Sequence, residues 1–159
     1  MAARFFILDG HSQLYQAFYA TQGLHSPAGR PTGASYGFTS MLMRLIHEEA
    51  PDFLAVVFDA PGPTFRHQKF SEYKANRSPM PEDLAEQIPI VHQILEAHRI
   101  PIFEAPGYEA DDLLATLARE SGSPELDVFL VTGDKDLKQV LSPHIHLYNN
   151  RDRSILDVE

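Results

Sequence analysis

"RFFILDGHSQLYQAFYA" (residues 4–20) contains the repeating logic of the whole chain. Its first half, "RFFILD" (4–9), is a short apolar run with aromatic and branched residues, which reads as a buried strand. Asp9 closes that strand. Leu14, Tyr15, Phe18 and Tyr19 then recur at helical spacing. A strand, an acid at its end and a helix is a unit that a parallel sheet can be built from.

The same pattern returns along the chain. "FLAVVFD" (53–59) is a second buried strand ending in Asp59, and "IPIFEA" (100–105) a third, followed by the helix of "GYEADDLLATLA" (107–118). "DVFLVT" (127–132) is a fourth, with a short helix in "DKDLKQVL", and "HIHLYN" (144–149) a fifth. Residues 34–49 form a helix, because Phe38, Met41, Leu42, Leu45 and Ile46 follow its period. Pro81, Glu82 and Asp83 start another, with Leu84, Ile88, Val91 and Leu95 on its apolar face and a kink at Pro89. Residues 21–33 are a loop by their Gly, Pro and Ser content. The expectation is a three-layer α/β domain: a mainly parallel five-stranded sheet with helices on both faces.

The 159 residues, 43% of them hydrophobic, suffice for one domain with a real core. No apolar run approaches the roughly 18 residues of a membrane span, and the start "MAARFFILDG" lacks a secretory pattern. The absence of cysteine excludes disulfides and thiolate metal sites and suits a reducing, cytoplasmic setting. The ending "RDRSILDVE" looks like the opening of a further element, as in a piece of a longer chain.

The acids are placed unevenly. Asp9 and Asp59 end the first two strands, Glu109, Asp111 and Asp112 follow the third, and Asp134 and Asp136 follow the fourth. Carboxyl ends of parallel strands share one edge, where ligands bind. Each acid alone also reads as a helix cap or turn residue. Together they form an oxygen-only ligand set suited to a hard cation, Mg²⁺ or Mn²⁺. Seven exceed the needs of one ion, and two ions would suit phosphodiester displacement. His144 and His146 share a strand face but lack a third zinc ligand, and read as surface residues.

The net charge of −9 argues at first against nucleic acid, but setting those seven acids aside leaves −2. "TFRHQKFSEYKANRSPM" (64–80) carries Arg66, Lys69, Lys74 and Arg77 against Glu72 alone, a plausible phosphate grip or a plain solvated loop. A phosphate-accepting receiver domain is imitated by Asp9, Asp59, Thr132 and Lys135, but a receiver has no use for the 109–112 cluster. No nucleotide-binding glycine loop occurs. A non-catalytic or truncated DNA-binding fragment stays open.

"FFILDGHSQLYQAFYA", "VVFDAPGPTFRHQKFSEYKANRSPMPEDL", "PGYEADDLLATLA" and "VTGDKDLKQVL" closely resemble the 5′-nuclease domain of bacterial DNA polymerase I, of the flap endonuclease family with a PIN-like fold. The likeness covers nearly the whole chain. It implies a single PIN-like domain over residues 1–159, with a basic arch or clamp at about 62–82. It further implies Mg²⁺-dependent 5′-3′ exonuclease and flap endonuclease cutting of DNA at 5′ ends, nicks and flaps, in replication and repair. By the family pattern, Asp9, Asp59, Glu109 and Asp111 hold a first metal. Asp111, Asp134 and Asp136 serve a second, with Asp112 bound directly or in its outer sphere. Lys74 and Arg77 match the basic pair on the scissile phosphate, Arg66 and Lys69 belong to the same DNA-binding segment, and Tyr15 matches an aromatic that stacks on a base. The catalytic assignments are Lys74, Arg77 and Asp111. Two Mg²⁺ ions are implied, with Mn²⁺ able to substitute. A helix–hairpin–helix region would follow beyond this chain, and a polymerase could share the parent polypeptide.

Overall fold

The computed structural model describes residues 1–158, and its elements follow the apolar pattern closely. In chain order they are β1 (Ala3–Asp9), α1 (Gly10–Ala20), α2 (Gly33–Glu49), β2 (Phe53–Val57), α3 (Phe65–Lys69), α4 (Glu82–Ala85) and α5 (Ile88–Ala97). Then come β3 (Ile102–Phe103), α6 (Ala110–Ser121), β4 (Leu126–Val131), a 3₁₀ helix (Lys135–Val140), β5 (Ile145–Asn149) and β6 (Ser154–Leu156).

The sheet has six strands, ordered β3-β2-β1-β4-β5-β6, so the expectation of five is corrected. The five expected strands pair in parallel, and β6 adds an antiparallel edge against β5. Side chains alternate across the strands and divide the core in two. Phe6, Leu8, Val56, Phe58, Phe129 and Val131 pack toward α1, α2 and α5 with Leu14, Phe38, Leu42 and Leu95. Ile7, Val57, Val128 and Leu130 face the other way, onto Leu114 of α6 and Leu137 of the 3₁₀ helix. Helices therefore cover both faces. Among the described residues no helix is long and apolar enough to cross a membrane.

Three local expectations change. The third strand shrinks to two residues, because it is an edge strand preceded by Pro101, which has no N–H to donate. Pro89 does not kink a continuous helix. The chain breaks into α4 and α5, and Pro89 sits in the first turn of α5, where a missing N–H costs nothing. Buried Gln87 bridges the break, its Oε1 accepting from the Ser35 N–H at 2.8 Å and its Nε2 donating to the Asp83 carbonyl at 2.7 Å. His146 is not a surface residue: its side chain is 14% exposed, it stacks on Phe129, and it contacts Asp127 and Asp157.

Gly10, between Asp9 and His11, is required by space rather than by φ. A β-carbon there would lie 2.5 Å from the Phe58 ring. Gly10→Ala should therefore push Phe58 out of the core and cost about 1–3 kcal/mol, measured by urea unfolding. An unchanged midpoint would show that the ring yields freely.

Candidate metal and phosphate site

The order β3-β2-β1-β4-β5 reverses its direction of travel at β1, so the carboxyl ends of β1 and β4 flank the crevice of the sheet. Thr132 spans that crevice. Its hydroxyl donates to Asp9 Oδ2 at 3.0 Å and accepts the Asp134 N–H at 3.0 Å. One side chain thus fixes two candidate ligands.

Caps and ligands are not alternatives here. Asp9 Oδ1 accepts the Ser12 N–H at 3.1 Å and starts α1. Asp59 Oδ1 accepts the Ala110 N–H, the first of α6, at 2.7 Å, where Glu109 is the cap. Asp134 Oδ1 accepts the Asp136 N–H at 2.8 Å and starts the 3₁₀ helix. Backbone donors orient each carboxylate, as ordinary capping would. They leave further lone pairs for the space in front, since an ionised carboxylate accepts at about four positions.

That space is a cavity of about 780 Å³ lined by Asp9, Asp59, Glu109, Asp111, Asp134 and Asp136. Lys74, Arg77 and Tyr15 line it too. Asp112, Arg66 and Lys69 do not. Asp112 is committed elsewhere: Arg66 grips it in a fork at 2.7 and 2.8 Å and reaches Glu109 Oε2 at 2.9 Å. Such bidentate pairs are among the stronger ion pairs. Lys69 lies 6.0 Å from the centroid of the Phe65 ring. Tyr15 lies against Tyr19, their ring centroids 6.2 Å apart.

The electrostatics split the acids into two groups. Burial, then proximity to Asp59 and Asp134, pushes the Asp9 carboxyl up to about 6 against its backbone and Thr132 hydrogen bonds. Burial, then Asp134, Asp9 and Asp59, pushes Asp111 up to about 7. These four repel one another in a partly buried setting. Glu109 and Asp112 are satisfied instead. Burial raises Glu109, but Lys74, Tyr73 and Arg66 outweigh it and hold it below the usual range. The Arg66 hydrogen bonds hold Asp112 low. Lys74 contacts Glu109 Oε1 directly, and Tyr73 donates to Oε2 at 3.1 Å. Among the described residues no three His, Asp or Glu side chains are already grouped closely enough to hold a metal ion. The ion pairs of Glu109 with Arg66 and Lys74 make the part of the rim nearest the basic segment the cation-compensated part. A shared excess of negative charge with oxygen donors alone suits a hard divalent cation at Asp9, Asp59, Asp111 and Asp134.

Two site residues escaped the sequence reading. His11 accepts the Asp59 N–H at Nδ1, 3.2 Å away, and sits 3.5 Å from its carboxylate. Burial holds its imidazole below the usual range, against the nearby charge of Asp59. Thr132 was visible only as part of a receiver-like set. That set is not assembled: Thr132 is tied to Asp9, and Lys135 lines a neighbouring cavity.

Comparison with known proteins identifies the family. The 5′-3′ exonuclease N-terminal resolvase-like domain family matches residues 4–159. The DNA polymerase I of Bacillus caldotenax is 42% identical over 159 residues, which is 100% of this chain and 18% of that protein. The 5′-3′ exonuclease of Aquifex aeolicus is 43% identical over 144 residues, 91% of this chain and 50% of that protein. The chain thus spans half or less of the length of these relatives. Among solved structures, the T5 5′-exonuclease with divalent zinc ions bound superposes with a TM-score of 0.69 at 21% identity, covering 97% of this chain and 58% of that one. The catalytic core of Rad2 in complex with DNA substrate gives 0.55 at 18% identity, covering 98% and 48%. At those identities the likeness concerns the fold alone. With its acid crevice at the sheet's switch point and a family match over nearly every residue, the chain belongs to the 5′-3′ exonuclease family through that family's N-terminal, resolvase-like domain.

Proposed function

We propose that this domain hydrolyses DNA phosphodiester bonds at 5′ ends, nicks and flaps, using two divalent ions, Mg²⁺ by preference, with Mn²⁺ able to replace it. The observation that carries this reading is the convergence of six carboxylates from four strand ends on one cavity edged by Lys74 and Arg77. Asp9, Asp59, Asp111 and Asp134 would hold the first charge, with Asp136 and Glu109 completing the rim. A cation bound there supplies Lewis acidity and a water of lowered pKa. The chain's own residues do the rest. Arg77, which has no carboxylate partner among the described residues, meets the phosphate and offsets charge that develops on it. Lys74 joins it once released from Glu109. Tyr15 offers its ring to a base beside the cut. Residues 62–82 act as the arch or clamp over the strand, and a helix–hairpin–helix region farther along the polypeptide would grip the duplex. A polymerase in the same polypeptide is consistent with the polymerase I relatives.

The test is a 5′-labelled flap duplex incubated with Mg²⁺ or EDTA. These 159 residues alone are expected to cut weakly, somewhat better in Mn²⁺. A polypeptide extended to the length of the Aquifex relative should cut efficiently, on the 5′ strand near the flap junction. An extended, folded, cation-binding protein that leaves every substrate with a free 5′ end intact would overturn the reading.

A further inference from the structure

A second cavity of about 520 Å³ adjoins the first, sharing Gly133 and Asp134 with it. Asp134 is its one acid, and the rest of its charged lining is basic. Lys135, Lys138 and Arg151 line it, with Gln16, Asn149 and Ser154 as further polar groups. Lys135 and Lys138 are three positions apart on the 3₁₀ helix, where such side chains eclipse on one face. Arg151 sits in the turn between β5 and β6, its N–H held by Asn149 Oδ1 at 3.0 Å. The ion-paired cations of this chain lie elsewhere: Arg4 with Glu49, Arg66 with Asp112, Lys74 with Glu109 and Arg153 with Glu48. Among the described residues, the three cations of this groove have no carboxylate within ion-pairing distance.

What sets these three apart is that they line one cavity together, on a chain of net charge −9. Their cavity meets the acid cavity at Gly133 and Asp134, and Arg77 lines the acid cavity, so a polyanion lying over both meets cations in each. We infer that the Lys135–Lys138–Arg151 groove is a second phosphate-binding site. It takes the sugar–phosphate backbone of DNA beyond the bond being cut and fixes the strand across the acids. The inference rests on the nuclease reading above but concerns residues that reading leaves idle. The occupant is a polynucleotide, because the groove adjoins the acid cavity through Gly133 and Asp134 and carries three cations from two separate elements. Lysine and arginine on backbone phosphates carry affinity rather than sequence preference.

The test is the salt dependence of binding. A fluorescent 5′-flap duplex is titrated in EDTA at several salt concentrations, read by anisotropy, against the protein and a Lys135→Gln/Lys138→Gln/Arg151→Gln variant. Losing up to three phosphate contacts should weaken binding about 10-fold or more and lower the slope of log affinity against log salt by about 2 to 3. A Lys135→Arg/Lys138→Arg/Arg151→Lys variant should keep both values. Arg99→Gln, before β3 at the opposite end of the sheet, should change neither. Should the triple variant fail to fold, Arg151→Gln alone decides, with an expected slope change of about 1. Variants that bind with the unaltered slope and affinity, while the protein itself binds and cuts DNA, overturn this inference and leave the nuclease reading intact. A folded polypeptide extended to the length of the Aquifex relative that binds no DNA at any salt overturns both.

Discussion

Asp111→Asn is expected to reduce cleavage by at least about 10²-fold, because it removes a charge from the centre of the rim. Without divalent cations the same change should raise the melting temperature by about 2–4 °C, the response to roughly 1 kcal/mol in a domain of this size. The cause is burial of the Asp111 carboxylate, then the charges of Asp134, Asp9 and Asp59, which together push it up to about 7. A carboxyl raised in the folded state binds a proton that the unfolded chain has released. Its contribution is therefore fully present below the ordinary value of 3.8 and is lost as pH rises through about 7. Asp9, raised to about 6, acts in the same direction. Glu109 and Asp112 act in another window: held low, they stabilise above the usual carboxylate range and lose this as pH falls through their lowered values. Scanning calorimetry in EDTA should show the protein melting lower at pH 8 than at pH 5. The variant should lose much of that slope, though solvent screening keeps the change modest at a half-buried group. A variant that melts lower than the protein at pH 8 would make the acids caps and turns only.

The second large effect concerns the basic segment. Lys74→Ala and Arg77→Ala should each slow cleavage by about 10²-fold, through lost stabilisation of charge on the phosphate. They should part company on cation binding. Lys74 spends its charge on Glu109 Oε1, so Lys74→Ala releases that oxygen, Oε2 staying with Arg66 and Tyr73, and should tighten Mn²⁺ modestly. Arg77 makes no such pair and should leave Mn²⁺ affinity unchanged. Lys74 also holds a left-handed backbone, φ 55°, an unusual conformation for a residue with a side chain. Single-turnover rates and Mn²⁺ calorimetry on the two variants separate the roles. Equal turnover by variants and protein would reduce the segment to a solvated loop.

What the sequence made legible was whatever has a period. Strands such as "RFFILD" and "DVFLVT" are buried on both faces and read as apolar runs, and α2 and α6 declare themselves by spacing. β6 escaped because its three residues are all exposed and too few to show alternation. β3 was overread because an apolar run does not reveal that only two residues find partners. The acid rim was legible as a set, since strand ends of a parallel sheet must share an edge. Its internal division was not. Arg66 is 46 positions from Asp112, so only the folded chain shows that this acid answers to an arginine instead of lining the cavity. His11 and Thr132 escaped for the same reason: their roles rest on hydrogen bonds to residues 48 and 123 positions away. Gly10 could have been found, since a glycine directly after a buried strand signals close approach of another group.

The central claim is that carboxylates from four strand ends form a divalent-cation site, and calorimetric titration of Mn²⁺ into the chain at pH 8 tests it most directly. Saturable binding with up to two ions, a higher melting temperature on saturation, and loss of binding in Asp111→Asn are expected. A titration without binding heat, with a melting temperature indifferent to Mn²⁺ in both proteins, would contradict the claim.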